Sequence, residues 1–328
     1  MERMIANMPQ TILSVRDRLF RNISRMRFEE FLAIVAFLPM VYVTLKAYFF
    51  LSAINKLSRR YEGGVWRIAI TILLFVIFIT VLKRWKFFRD WLPFGFCIAI
   101  YTNLHDTIQF VNHHDIQNTL INIDQWLFGV QPCVWAEQFI TPARTDVFTF
   151  FYSLFFMHGT LVAAVLYLRR RRVEFRYTML SIVLGFYIGY SLYIIFPAAP
   201  PRFALRPMFT IKLSGAVLES TRQMVNAAAH QSRGAFPSLH SAGTLIALIC
   251  AWRYQRWLFW VLLPFTVGLI ASTIYLRHHY AIDLIAGAAL APIAIWVGHR
   301  ADLWWDRLCA RLFVPSAEGE PRRRSGGA

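Results

Sequence analysis

The sequence carries few charged residues for its length, and few of these are acidic. Only 16% of its 328 residues are charged, whereas 57% are hydrophobic and the mean hydropathy is +0.45, which excludes an ordinary soluble protein. Sixteen Gly and 14 Pro are too few for a collagen-like chain, and 29 Phe, 13 Tyr and 11 Trp exclude a disordered one. The four cysteines lack metal-ligand spacing, so we expect packing residues rather than a disulfide framework. The composition therefore predicts a membrane protein.

Acidic residues are scarce relative to basic ones. The chain has 35 Lys and Arg against 18 Asp and Glu, a net charge of +17. In a soluble protein this excess would suggest a nucleic-acid partner, whereas in a membrane protein it records basic residues retained in cytoplasmic loops. Because most of the excess lies between apolar segments, we predict a membrane bilayer as partner and no nucleic acid.

Eight apolar segments are long enough to cross a bilayer, which takes roughly 20 residues per helix. They are Phe31–Ala53, Trp66–Leu82, Trp91–Val111, Val147–Leu168, Tyr177–Phe196, Phe236–Trp252, Trp257–Leu276 and Tyr280–His299. The expected fold class is all-α, a polytopic membrane protein of about eight transmembrane helices. Four polar residues interrupt the third segment: Asn103, His105, Asp106 and Gln109. We expect them to face a protein interior or a wet cavity, unless the span ends earlier.

Basic clusters fall in alternate connections, as the positive-inside rule requires. They are Arg16–Arg27, Lys83–Arg89, Arg169–Arg176, Arg253 with Arg256, and Arg300–Arg324. This pattern predicts cytoplasmic termini and an external connection at Asn112–Asp146, where Arg144 is the only Lys or Arg. The turn Ile54–Gly64 departs from the rule, because it carries three basic residues on the predicted outer side: Lys56, Arg59 and Arg60.

Three polar segments lie at the predicted external ends of the later spans: Phe196–Arg202, Gly234–Ser241 and Ser272–Asp283. The first is a proline-rich turn that cannot continue a helix and that delivers a guanidinium to the membrane surface. His240 and His279 are 39 positions apart, about two membrane crossings, so the chain returns to the same face. We therefore expect the three segments to meet in one site.

His279 and Asp283 are four residues apart, so on a helix they share a face. The carboxylate can hold one imidazole nitrogen protonated while the other attacks an electrophile. His240, on the opposing helix, can protonate a leaving oxygen and later deprotonate an incoming hydroxyl. These properties suit phosphoryl transfer, and they predict His279, His240 and Asp283 as the catalytic residues.

Anion-binding groups accompany this set. Pro237 suits the first turn of a helix, so the free backbone N–H groups of Ser238 and the next two residues should point at a bound anion. Arginines would supply full charges for the phosphoryl oxygens. The predicted phosphate-binding set is Arg202, Arg277, Ser238, Arg233 and Arg206.

Structural interpretations compete with these roles. A single His near a membrane interface is more often structural than catalytic, which suffices for His158, His230 and His299, and Arg202 alone could be an interface anchor. The remaining histidines lack HExxH spacing and paired carboxylates: His105, His113, His114 and His278. We therefore predict no metal and no cofactor. The joint occurrence of two histidines and a carboxylate on one face, with arginines, favours catalysis.

These motifs resemble those of a known superfamily. Pro-Ser-Leu-His at Pro237–His240 and His-Tyr-x-x-Asp at His279–Asp283 are similar to signature segments of the type 2 phosphatidic acid phosphatase superfamily. The resemblance implies a metal-free reaction through a phosphohistidine, with His279 as nucleophile, Asp283 as its orienter and His240 as acid/base. It also implies a six-helix catalytic core at 91–299. The rest of the chain would be a basic cytoplasmic segment at 1–30, two additional helices at 31–90 and a basic cytoplasmic tail at 300–328.

Three positions depart from the common phosphatase pattern, in which Gly, Arg and Lys stand where this chain has Leu239, Thr273 and Ala199. The variants present resemble the inositol phosphorylceramide synthase (aureobasidin-resistance) branch. They are Pro-Pro-Arg202, Pro-Ser-Leu-His240, His-His279-Tyr, Asp124–Gly129 and Pro132. The resemblance implies transfer of a phospho-alcohol headgroup from a glycerophospholipid to a lipid hydroxyl.

The sequence thus predicts a multi-pass integral membrane phosphotransferase whose site opens to the extracytoplasmic face. Its partners would be a phospholipid or lipid phosphate donor and a lipid alcohol acceptor, with an inositol phosphate-like headgroup transferred. With water as acceptor the same side chains would make a lipid phosphate phosphatase, of the phosphatidic acid or polyprenyl pyrophosphate type. A third interpretation is a non-catalytic lipid-binding membrane protein, which the intact set of His240, His279 and Asp283 disfavours.

Overall fold

Helices build the computed structural model of the chain, which describes residues 23, 26–53, 59–220 and 233–313. The longer helices are α1 (Phe28–Ala53), α2 (Arg59–Thr80), α3 (Lys86–Val111), α4 (Gln117–Phe128), α5 (Pro142–Ser153), α6 (Phe155–Leu168), α7 (Arg172–Ile195), α8 (Leu239–Tyr254), α9 (Arg256–Tyr275) and α10 (Ala281–Phe313). Short helical turns lie at Leu82–Arg84, Pro132–Trp135, Ala136–Phe139, Pro201–Ala204 and Arg206–Met208. No strand occurs among the residues described, so the all-α prediction is confirmed.

Some of the sequence predictions concern residues outside these ranges: the basic residues from Arg16 to Arg25, Lys56, His230 and the tail from Val314 onwards. The side chains of three polar residues in the third predicted span also lie outside the description: His105, Asp106 and Gln109.

Multi-pass membrane character is confirmed, but the predicted count of eight spans is not. In the described part of the chain, four helices are long and apolar enough to cross a membrane: α1, α7, α9 and α10. The successive helices α5 and α6 add a fifth if they form one span, bent by 42°. Helix α8 has 16 residues, and the apolar stretch of α2, Val65–Phe78, is also shorter than a full span.

The bend between α5 and α6 falls inside the fourth predicted span. Helix α5 ends at Ser153, and the Leu154 N–H donates to the carbonyl three residues back at 3.2 Å, which tightens the final turn. The apolar composition of this segment does not predict the break. The bend matters because the aromatic rings that flank it, Tyr152 and Phe155, both contact the His240 ring, with centroids 4.8 and 4.4 Å away.

One hydrophobic core runs through the bundle and includes residues of α1 to α3 as well as α6 to α10. Phe37, Phe75 and Phe96 stack in succession across α1, α2 and α3, with ring centroids 5.2 and 4.0 Å apart. The predicted domain boundary at residue 90 falls inside α3. The two additional helices share the core of the rest, and the division of the chain at residue 90 stays a prediction. All four cysteines are buried free thiols, as expected for packing residues.

Asn103 interrupts the apolar face of α3, and its surroundings confirm that it faces the protein interior. Its side chain is 2% exposed, and Nδ2 donates to Thr71 Oγ1 of α2 at 3.0 Å and to the Ala99 carbonyl at 2.7 Å. A polar group at this depth needs such partners, because lipid offers none. Facing the other way, large apolar side chains on outer faces stay exposed, among them Leu38 and Val267, as lipid contact requires.

Four helices are joined by ion pairs at their ends remote from the histidines. The pairs are Arg27–Asp90 at 2.9 Å, Arg89–Glu30 at 2.7 Å, Arg176–Asp302 at 2.7 Å and Arg176–Glu29. They connect α1 and the residue preceding it to α3, α7 and α10. Because Glu29, Glu30 and Asp90 are buried, each carboxylate requires a cationic partner to offset desolvation. Three arginines that the sequence assigns to membrane topology are therefore also structural.

Candidate active site

The three polar segments predicted to meet do meet at one end of the bundle, where α7 ends and α8 and α10 begin. Residues 196–202 pair with 233–235 through two hydrogen bonds, from the Ala198 N–H to the Arg233 carbonyl at 2.9 Å and from the Ala235 N–H to the Ala198 carbonyl at 3.1 Å. The Arg202 N–H donates to the Arg277 carbonyl at 3.0 Å, which joins the first segment to the turn between α9 and α10. Main-chain bonds therefore hold the site together.

His240 and His279 lie side by side. His240 Nδ1 is 3.0 Å from His279 Nε2, and the ring planes are inclined by 62°. His240 is the second residue of α8, and His279 lies in the turn just before α10. The predicted return of the chain to one face thus brings the two imidazoles into direct hydrogen-bond contact.

The other ring nitrogen of His279 faces two acceptors. Nδ1 lies 2.9 Å from the Ala235 carbonyl oxygen and 3.3 Å from Asp283 Oδ2. Since both partners only accept, Nδ1 carries the proton and Nε2 keeps its lone pair, a tautomer that we infer from the hydrogen bonds. Asp283 is fully buried, and its Oδ2 also accepts the Tyr280 N–H at 2.9 Å. The predicted contact of His279 with Asp283 is present, and the Ala235 carbonyl is a shorter, unpredicted partner.

His279 is 3% exposed, and its surroundings disfavour the imidazolium form. Burial lowers the pKa of His279 to about 4, because the charged form loses its hydration. The hydrogen bond to the Ala235 carbonyl raises that pKa, and the positive charge of Arg202 lowers it. At neutral pH the ring is therefore uncharged, and its Nε2 lone pair is available for attack.

Arg202 reaches the site through His278, a residue that the sequence offered only as a metal candidate. Arg202 Nη1 lies 3.2 Å from His278 Nδ1, so the guanidinium donates to a neutral imidazole. Burial, then the charge of Arg202, hold the pKa of His278 well below its ordinary value of 6.5. The His278 ring stacks on Tyr152, with centroids 4.4 Å apart. The position of His278 directly before His279 is the sequence feature from which its contact with Arg202 could have been suspected.

Ser238 caps α8 rather than presenting a free amide. Its Oγ accepts the Ser241 N–H at 3.2 Å, and its own N–H donates to the Asp283 carbonyl at 2.9 Å. The helix begins at Leu239, later than the predicted start at Phe236. The prediction of a free Ser238 N–H is therefore wrong, and the phosphate-binding role of Ser238 stays a prediction without that group.

The remaining predicted arginines have other partners or lie at the surface. Arg277 Nη2 donates to Glu137 Oε1 at 2.7 Å and to the Ile211 carbonyl at 2.6 Å, and burial lowers the pKa of its guanidinium. Arg233 Nη2 pairs with Asp115 at 2.9 Å. Arg206 is exposed in the turn Arg206–Met208. The phosphate-binding roles of these three arginines stay predictions. The ion pairs of Arg277 and Arg233 also stabilise the structure, which could not be predicted from their charge in the sequence.

Two residues of the external connection also contact the His279 turn. Asp124 Oδ2 accepts the Ala281 N–H at 2.8 Å, and Oδ1 accepts the Ile282 N–H at 2.9 Å. The Cys133 thiol donates to the His279 carbonyl at 3.1 Å. The sequence analysis used Asp124 only as part of a motif and Cys133 only as a packing residue.

Known proteins are similar in sequence to this chain. A family model described as PAP2 superfamily matches residues 118–297, more than half of the chain. Phosphoinositol dihydroceramide synthase of Bacteroides thetaiotaomicron is 28% identical over 251 residues, 67% of this chain and 79% of that protein. Inositol phosphorylceramide synthase of Candida albicans is 47% identical over 60 residues, 18% of this chain and 12% of that protein. No solved structure matches the chain.

The matched residues run from α4 through both histidines to about the middle of α10. Similarity to a bacterial and a fungal synthase agrees with the branch that the motifs resemble. The chain belongs to the PAP2 superfamily, and within it is similar to sphingolipid headgroup synthases.

Proposed function

We propose that this protein is an integral-membrane phosphotransferase that moves a phospho-headgroup, inositol phosphate-like, from a phospholipid to the hydroxyl of a ceramide-like lipid. The observation that carries the proposal is the contact of His279 Nε2 with His240 Nδ1 at 3.0 Å, with His279 Nδ1 held by two acceptors. The names of the two relatives support the donor headgroup and the acceptor class.

In the first half-reaction, His279 Nε2 attacks the phosphorus of the donor. A bond forms between Nε2 and phosphorus, and the bond from phosphorus to the glycerol oxygen breaks. His240, as its imidazolium, gives its Nδ1 proton to that oxygen and becomes a neutral imidazole, so diacylglycerol leaves neutral. The donor phosphate must separate the two rings, because they are within hydrogen-bond distance of each other before it binds.

In the second half-reaction, the acceptor hydroxyl resolves the phosphohistidine. His240 Nδ1, now deprotonated, takes the hydroxyl proton, the lipid oxygen bonds to phosphorus, and the bond from Nε2 to phosphorus breaks. His279 keeps its Nδ1 proton throughout and is cationic while it carries the phosphoryl group. The Asp283 carboxylate, 3.3 Å from Nδ1, stabilises that cation.

The positive charge available in the site favours a phosphodiester donor over a phosphomonoester. Ala199 and Thr273 occupy the positions at which the common phosphatases carry Lys and Arg, and the Arg277 guanidinium is paired with Glu137. Arg202 then provides one full positive charge to bind the phosphoryl oxygens. A phosphodiester carries a single negative charge, whereas a monoester carries up to two near neutral pH.

We also propose that the site opens on the extracytoplasmic face and that both termini are cytoplasmic. The histidines lie where α8 and α10 begin, whereas Arg169–Arg172 and Arg253 with Arg256 lie at the opposite ends of the helices. Basic residues concentrate on the cytoplasmic side of membrane proteins, which supports this orientation.

The test is headgroup transfer by purified protein in detergent micelles, with phosphatidylinositol labelled in the headgroup and ceramide as acceptor. We expect labelled inositol phosphoceramide, full activity with a chelator, and no product from His279→Ala. His299→Ala is the matched control, because that ring bonds Tyr254 and the Ile295 carbonyl near the middle of α10, away from the two histidines. Release of labelled inositol phosphate into water would support the phosphatase alternative, and product from His279→Ala would overturn the mechanism.

A further inference from the structure

The connection between α3 and α5 folds over the end of the bundle that holds the histidines. We call residues 117–139 the outer cap; it contains α4 and the turns Pro132–Trp135 and Ala136–Phe139. The outer cap contacts the turn before α10 through three polar side chains: Asp124, Cys133 and Glu137. No step of the proposed reaction uses any of them, so their convergence on this turn requires another explanation.

Asp124 has the most direct of these contacts. Its side chain is fully buried, and its two oxygens accept the N–H groups of Ala281 and Ile282 at 2.8 and 2.9 Å. These are the first two residues of α10, whose N–H groups have no carbonyl partner within the helix. A carboxylate is the preferred charge at a helix N-terminus, and here it comes from a segment 157 positions earlier in the chain.

The position of these two amides links Asp124 to the chemistry. Ala281 and Ile282 lie between His279 and Asp283, so fixing their N–H groups fixes the direction in which α10 starts. Asp283 is the third residue of α10, and its Oδ2 contacts both His279 Nδ1 and the Tyr280 N–H. A rotation of this first turn would move the carboxylate relative to the imidazole.

The other two contacts act on the same turn from its other end. The Cys133 thiol donates to the His279 carbonyl at 3.1 Å, and Glu137 Oε1 accepts from Arg277 Nη2 at 2.7 Å. Arg277 has a φ of 62°, in the left-handed region that a non-glycine residue adopts only when its surroundings hold it there. Residues 277 to 282 are therefore held by the outer cap on both sides of the His279 ring.

We propose that Asp124 is a positioning residue, which sets the geometry of His279 and Asp283 from the outer cap without touching substrate. The expected fall in kcat rests on the proposed function, whereas the expected change at the His279 ring can be measured without turnover. Asp124 binds the first turn of α10, Asp283 moves with that turn, and Asp283 together with the Ala235 carbonyl keeps the His279 proton on Nδ1.

Asp124→Asn tests this with a near-isosteric change. The Asn amide offers one acceptor, so one N–H of α10 loses its partner and faces an NH2 group instead. We expect kcat for headgroup transfer to fall about 10-fold or more, with KM for the donor within about 2-fold of wild type. We also expect 15N-histidine NMR to show a change in the chemical shift of His279 Nδ1, because the distance from Nδ1 to the Asp283 carboxylate changes, with the resonance identified by its loss in His279→Gln.

Asp146→Asn is the matched control, since Asp146 is also a carboxylate that binds backbone N–H groups at a helix start. It accepts from Ala216, Val217 and Leu218 at 2.9 to 3.2 Å, at the helical residues 216–220. We expect kcat within about 2-fold of wild type. A second pair addresses the same turn: Cys133→Ser keeps a donor for the His279 carbonyl and Cys133→Ala removes it, so only the latter should lower kcat.

The outcomes separate this proposal from the proposed function. Wild-type protein that transfers nothing, with a changed His279 Nδ1 chemical shift in Asp124→Asn and an unchanged one in Asp146→Asn, overturns the function and supports the positioning role. Active wild-type protein with equal kcat and equal His279 spectra in Asp124→Asn and Asp146→Asn overturns the positioning role. If Asp124→Asn does not fold, equal kcat and spectra in Cys133→Ala and Cys133→Ser overturn it.

Discussion

The Ala235 carbonyl oxygen lies 2.9 Å from His279 Nδ1, closer than the Asp283 carboxylate at 3.3 Å. The main chain before α8 therefore holds the His279 ring in its tautomer, and Asp283 adds a negative charge on the same nitrogen. The orienting task that the sequence assigns to Asp283 is thus shared with a backbone group that no substitution at Ala235 removes.

Asp283→Asn should therefore lower kcat by roughly 10- to 100-fold, less than the 10⁴-fold loss seen when an orienting Asp alone determines the tautomer. The Ala235 carbonyl still accepts the Nδ1 proton, so Nε2 remains the nucleophile, while the phosphohistidine cation loses its counter-charge. Headgroup transfer in the micelle assay measures this, with His279→Ala as the zero reference. A loss as complete as that of His279→Ala would contradict the shared role.

The pH dependence follows from the pKa of His279, which burial lowers to about 4. Since His279 attacks as the neutral ring and His240 donates as the imidazolium, kcat/KM should fall as the pH drops through the pKa of His279 and fall again as the pH rises through that of His240. A folded-state pKa below the unfolded value of 6.5 also means that stability is lost as the pH falls below 6.5, so the folded fraction must be measured in parallel. If kcat/KM fell on acidification with a midpoint near pH 6.5 while the folded fraction stayed constant, the reacting histidine would be an exposed one, and the prediction would be wrong.

His278 should hold Arg202 rather than react. His278→Asn keeps an acceptor near the position of Nδ1, 3.2 Å from Arg202 Nη1, whereas His278→Phe keeps the stacking on Tyr152 and removes the acceptor. We expect kcat/KM to fall roughly 10-fold or more in the Phe variant, because a partly buried guanidinium N–H loses its partner, and only a few-fold in the Asn variant. Equal losses in the two variants would argue against this role.

Gly287 controls how closely α8 and α10 approach. A Cβ at this position would overlap the Ser238 carbonyl and lie 3.1 Å from Ser241 Cβ. Gly287→Ala should separate the helix starts that carry His240 and Asp283, lower kcat, and destabilise the protein by about 1–3 kcal/mol. Gly95→Ala in α3 is the control, since its Cβ would meet only Leu92 at 4.0 Å. Thermal unfolding in detergent and headgroup transfer measure both effects.

Much of this protein follows from its sequence, because the relevant signals are local or periodic. Apolar runs predict the membrane helices, and the four-residue spacing of His279 and Asp283 predicts their shared face. The 39 positions between His240 and His279, about two crossings, predict that the histidines meet. The structure places them 3.0 Å apart. The bend at Leu154 escapes such reasoning, because composition does not distinguish a straight span from a broken one.

Only the tertiary structure decided which polar groups face the histidines and which hold the scaffold. Arg277 and Arg233 look like phosphate ligands in sequence, but Glu137 and Asp115, more than 100 positions away, bind them. Asp124 caps α10 across a similar separation. A charged residue requires a partner once it is buried, and this follows from the sequence. Which residue becomes that partner depends on how distant segments pack.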